Sequence, residues 1–137
     1  MRWHLILVML LLHSATPLAS TIGEAAQPSS RSTDAIFVGL DETVVHRNEL
    51  VEVQFTLHNR GSQEQTFTIN ATSIPSDLLV SGLPLTHTLE SGYLKNLKFN
   101  LSATSTASYA TLAIGLEITS SDDSEWSEQA NASVLVA

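Results

Sequence analysis

The sequence predicts an all-β protein, a two-sheet antiparallel sandwich of about seven to eight strands. Three observations lead there. Between Leu50 and Asn59, the apolar residues Val51, Val53, Phe55 and Leu57 alternate with Glu52, Gln54, Thr56 and His58. That is the period of a strand with one face on a core and one in water. Further alternating runs follow, punctuated by turn residues about every 8–12 positions. No stretch sustains the 3.6-residue period of an amphipathic helix.

The elements follow in order. Arg2 precedes an unbroken apolar run over residues 5–12, and small and polar residues follow, Pro17, Ala19 and Ser20 among them. Residues 1–19 read as a signal peptide. Cleavage at Ala25 or Ala26 also suits the small-residue pattern. The apolar run would make about 12 Å of helix against a hydrocarbon core of about 30 Å, too short for a membrane anchor. Residues 20–33, rich in Ser, Thr, Gly, Pro and Gln, read as a disordered leader. The folded domain is expected over 34–137.

Within it, residues 36–40 make a short strand, and 41–48 a connection or a second short strand around Val44 and Val45. The strand over 50–59 ends at the turn residues Asn59, Arg60 and Gly61. Residues 65–71 place Phe67, Ile69 and Ala71 on one face, and Pro75 interrupts the ladder because proline has no N–H to donate. Strands are expected at 78–80 and 85–89, with turns at Gly82 and at Ser91-Gly92. Residues 93–102 put Leu97, Phe99 and Leu101 inward. The longest run, 109–120, does the same with Leu112, Ile114, Leu116 and Ile118, and leaves Gly115 on the outer face as a candidate bulge. Residues 121–128 read as an acidic hairpin loop. Residues 129–136 close the chain, with Ala130, Ala132, Val134 and Val136 on one face.

Composition narrows the function. Net charge is −8 with only six Lys and Arg, so no basic stripe exists to neutralise phosphates, and nucleic acid and anionic membrane surfaces are poor partners. Cysteine is absent, which removes disulfides, thiol catalysis and cysteine zinc sites. There is no Gly-x-Ser-x-Gly, no phosphate-cradling glycine loop and no His-Glu-x-x-His. His46, His58 and His87 fall on separate segments without metal-ligand spacing. No cofactor is indicated.

Four features remain as candidate sites. Three sequons, Asn70-Ala71-Thr72, Asn100-Leu101-Ser102 and Asn131-Ala132-Ser133, point their asparagines outward in the strand phases above, as N-glycosylation requires. Asp122, Asp123 and Glu125 are candidate calcium ligands in the acidic loop. Trp126, in the same loop, is either an exposed anchor for a partner or sugar ring, or a cap over the open end of the sandwich. An open sheet edge, at 36–40 or 129–136, is a candidate for strand addition.

The turn pattern also carries a resemblance. An alternating strand ends in Asn59-x-Gly61, and the next leads to a link containing Pro75. A Leu-x-x-Gly turn runs from Leu89 to Gly92, and Ala107-Ser108-Tyr109 opens a long strand. The last strand, after the acidic loop, ends in Val134 and Val136. Over about residues 34–137 this resembles the bacterial and archaeal extracellular immunoglobulin-like modules of the cell-adhesion-related and NEW3-type, glycosidase-associated kinds. The resemblance implies an immunoglobulin-like sandwich used as an accessory or repeated module, with no shared active site to carry over.

Together these readings imply a secreted, non-catalytic structural or interaction module of the cell surface or extracellular space, binding a protein or polysaccharide of the envelope. Two other readings stay open. One is a carbohydrate-binding module anchored by Trp126. The other is a subunit of a surface filament or layer, with the 20–33 leader ordering against a neighbour.

Overall fold

A computed structural model of the chain describes residues 32–137; the signal peptide and nearly all of the leader lie outside them. Nine strands form among the described residues: β1 (Ala35–Val38), β2 (Thr43–Val45), β3 (Leu50–Asn59), β4 (Gln65–Ser73), β5 (Leu78–Ser81), β6 (Leu85–Leu89), β7 (Leu94–Ala103), β8 (Thr111–Ser120) and β9 (Asp123–Val136). They make a four-stranded sheet in the order β1-β3-β7-β5 and a five-stranded sheet in the order β2-β9-β8-β4-β6. The two face each other as a sandwich, with the core between them.

Alternation decides which side chains enter that core. Val53, Phe55 and Leu57 of β3 and Leu97, Phe99 and Leu101 of β7 are buried from one sheet. Phe67 and Ile69 of β4, Ile114, Leu116 and Ile118 of β8, and Ala132, Val134 and Val136 of β9 meet them from the other. Because the side-chain period is two, a slip of one residue would turn each of these sets to water, and burial thereby fixes the register. The aromatic rings pack at angles: Phe37 stands edge-on to Phe55 at 5.3 Å between centroids, and Phe55 tilts against Phe99 at 6.1 Å. Such geometries add to the area term.

Four details depart from the sequence reading. Of the two readings of 41–48 the short strand around Val44 and Val45 holds, as β2, but it departs from an all-antiparallel sandwich by running parallel to β9, pairing Thr43 with Val134 and Val45 with Val136. Three residues are too few to display a period, and all other strand pairs are antiparallel. The acidic loop is far shorter than 121–128: Ser120 pairs with Asp123 around the turn residues Ser121 and Asp122. β8 begins at Thr111, two residues late, with the Ala110 carbonyl accepting from the Val136 N–H at 2.9 Å. Gly115, finally, is buried. The bulge lies opposite it in β4, where the register shifts between Ala71 and Ser73. A Cβ at Gly115 would come within 2.7 Å of both Thr72 Oγ1 and Ser73 Oγ, so the bulged strand closes down on a residue without a side chain.

Asn48 enters β3 in the left-handed region, at φ 61°, with its N–H on the Ala103 carbonyl at 2.9 Å. Asparagine tolerates that region and branched residues do not. Asn48→Val should therefore lower stability by about 1–2 kcal/mol, whereas Asn48→Gly should hold or raise it. Urea unfolding of the two variants side by side checks this, and equal stabilities would contradict it.

Candidate functional site

The described residues offer two shallow concavities. One, of about 480 Å³, lies on the outer face of the four-stranded sheet among Val38, Gly39, Gln54, Thr56, Asn96 and Lys98. At its margin Lys98 Nζ reaches the Glu52 carboxylate at 2.9 Å, and within it Thr56 donates to Asn96 Oδ1 at 2.8 Å. The Lys98 ammonium, by hydrogen bond and then by charge, holds the Glu52 carboxyl below the usual carboxylate range. A depressed folded-state pKa contributes stability that is present above the unfolded pKa and is lost as pH falls through the folded one. Both partners are largely exposed, so the contribution is small and screened by salt. Lys98→Met should return the Glu52 titration midpoint, read by carboxyl NMR, toward its ordinary value while barely changing stability at neutral pH. An unmoved midpoint would contradict the pairing.

The second concavity, about 270 Å³, sits over the bulge between Thr72, Ser73, Gly115, Gln129 and Asn131. It brings two sequons onto one face. Asn70 of β4 and Asn131 of β9 are exposed on the outer face of the five-stranded sheet, near either side of Gly115. Asn100 is half-buried on the other sheet, flanked by Glu52 and Ser81. Asn70 Oδ1 accepts from the Ala71 N–H at 2.9 Å, and Ser133 Oγ donates to Glu42 at 3.3 Å.

The calcium candidates do not converge. Asp122 accepts from the Thr66 N–H at 2.9 Å and Asp123 from the Glu125 N–H at 3.3 Å, so each caps backbone. Among the described residues no three His, Asp or Glu side chains are placed to hold a metal ion. Trp126 is half-buried rather than free. Its ring stands edge-on to Phe67, centroids 5.9 Å apart, and it packs against the core. The backbone explains how it gets there: Thr119 pairs with Ser127 and Ser120 with Asp123, so Ser124, Glu125 and Trp126 are extra residues that bulge out of the ladder. The exposed aromatics are instead Tyr93 and Tyr109, the latter stacked under the Arg47 guanidinium at 4.3 Å.

The edges are the most distinctive feature. β2 covers β9 only at Val134–Val136, so residues 123–133 have no strand beside them on that side among the described residues. β1 likewise covers β3 only over 56–59. Sequence reasoning marked 36–40 and 129–136 as edges. The first holds for β1, and the second is displaced toward 123–133 by β2. Charge divides between the sheets as well. The strands of the five-stranded sheet contain Glu117, Asp123, Glu125 and Glu128 and neither Lys nor Arg, while Lys95 and Lys98 lie on the other sheet. Nothing local in the sequence signals that division, because topology alone decides which strands share a sheet.

No family model matches the chain, and no curated protein matches it. Solved structures do. The chain is similar to a PapD-like domain of human CEP192, at TM-score 0.51 and 10% identity over 77% of this chain and 87% of that one. The fold is an immunoglobulin-like β-sandwich. The chain is also similar to a FixG-related protein from Vibrio parahaemolyticus, at TM-score 0.50 and 18% identity over 77% of this chain and 96% of that one. A third likeness is to a family 123 glycoside hydrolase from Clostridium perfringens, at TM-score 0.54 and 11% identity. The chain spans only 27% of that enzyme's length.

Proposed function

We propose that this sandwich is a secreted, non-catalytic interaction module of the cell surface or extracellular space. The observation that carries the proposal is the edge of β9 over residues 123–133, which has no strand beside it among the described residues, on a molecule whose concavities are shallow. An open edge presents a row of backbone donors and acceptors that a partner strand satisfies. The apolar run at residues 5–12 behind Arg2 supports export, and the exposed Asn70 and Asn131 are suited to carry N-glycans after it.

The protein lacking residues 1–19, used as bait against the envelope and medium fractions of its own source, tests this. Saturable retention of a protein that excess free bait competes away is the expected result. Recovery of polysaccharide alone would move the function to sugar binding and make Trp126→Ala the next variant. Recovery of nothing from either fraction would overturn the proposal.

A further inference from the structure

We propose that residues 123–133 of β9 accept an extended, basic peptide segment as an additional strand. This rests on the interaction-module reading and names its edge and its partner's chemistry.

The geometry comes first. Between Ser127 and Ser133, β9 is regular and paired to β8 on one side, from Thr119 to Ala113. On the other side the backbone makes no hydrogen bond to any strand or loop among the described residues. That regular stretch, at about 3.3 Å per residue, is roughly 20 Å long, the length of an ordinary strand. An added strand would lie in line with β2, which already pairs with the same edge over Val134–Val136.

Charge then chooses the occupant. Acids stand along the edge and at both of its ends: Asp122, Asp123 and Glu125 at the hairpin, Glu128 within it, and Glu42 against Ser133 at the far end. None is ion-paired among the described residues, where the two ion pairs are Arg60–Asp34 and Lys98–Glu52. A second copy of β9 would bring acid against acid, which is destabilising between facing strands. A strand with Lys or Arg at alternate positions would meet the hairpin acids and Glu42, which lies on the outer face with Ser133, while Glu128 shares the inward phase of Ala130 and Ala132; its backbone would pair with the edge.

The probes are short synthetic peptides: alternating valine and lysine, the same with glutamate for lysine, and the lysine peptide with prolines replacing alternate valines. Amide exchange and chemical shifts of the isotope-labelled protein are the readout. The lysine peptide is expected to protect amides within 123–133, with the other two failing to do so. Reversing Asp123, Glu125 and Glu128 to Lys should weaken the lysine peptide by about tenfold or more and admit the glutamate peptide. Binding of the proline peptide as tightly as its parent would show that charge alone acts and overturn strand addition. Protection at β1 or β3, or no protection anywhere, would overturn the edge assignment. Either result leaves the interaction-module reading to be decided by the envelope pull-down.

Discussion

Asn59→Ala should cost about 3 kcal/mol of folding stability, more than any surface change in the molecule. Asn59 is fully buried at the end of β3. Its Nδ2 donates to the Gln63 carbonyl at 3.0 Å and the Leu89 carbonyl at 2.9 Å, while its Oδ1 accepts from the Gly61 N–H at 2.9 Å. Its backbone donates to the Tyr93 carbonyl and accepts from Gly92. One side chain thus ties the β3–β4 connection to the β6–β7 connection. Alanine leaves a polar-lined hole, and no water gains free access to replace the amide. Asn59→Asp separates hydrogen bonding from volume. The carboxylate keeps the acceptor for Gly61 but turns an oxygen toward two carbonyls. Burial and those carbonyls should raise its folded-state pKa. A raised carboxyl pKa contributes stability that is present below the unfolded pKa and lost as pH rises, so this variant should be markedly weaker at neutral than at mildly acidic pH. Urea unfolding at both conditions checks it. A pH-independent deficit would mean that the side chain matters for shape alone.

The history of Asn59 shows where sequence reasoning succeeds and where it stops. Its place before Arg60 and Gly61 marks a turn from sequence alone, because Asn and Gly favour turns through local hydrogen bonds and backbone freedom. Its reach to Leu89, thirty residues on, depends on two connections meeting at one end of the sandwich. The period of two likewise exposed β3, β4, β7 and β8 and their inward faces, since burial on one side writes itself into local sequence. A short strand around Val44 and Val45 is one of two readings of 41–48, since three residues show no period to decide it, and its parallel pairing to β9 is not legible because its partner lies at the other end of the chain. Gly115 was legible as a bulge signal but not as a buried floor, because the extra residue belongs to the opposing strand. The acidic segment read as a loop since its polar residues alternate with nothing apolar except Trp126. Most of it belongs to β9 all the same, with Asp123, Ser127 and Glu128 paired to β8 on either side of the bulge. The open edge itself is a statement about a missing neighbour, which no local pattern encodes.

Phe67→Ala should destabilise by about 3–5 kcal/mol, a large share of the roughly 5–15 kcal/mol that such a domain possesses. The ring has no exposed surface and sits beneath Trp126. Removing it therefore empties a core site and withdraws the platform on which the indole rests. Trp126 is the single tryptophan among the described residues, so a chain lacking residues 1–19 reports on this contact directly by fluorescence. The emission should shift to the red in Phe67→Ala while the protein is still folded. Trp126→Ala should cost less, about 1–2 kcal/mol, because the indole is only half-buried. The double variant decides what Trp126 is for. A cap resting on the core gives a coupling energy between the two positions of about 0.5–1.5 kcal/mol, the range for an edge-to-face aromatic pair. An indole held for a ligand owes little to Phe67, and the two losses would simply add. Additive losses, together with an emission spectrum that responds to polysaccharide, would return Trp126 to the role of a sugar anchor. Coupled losses leave it a packing residue, and binding must then be sought along β9.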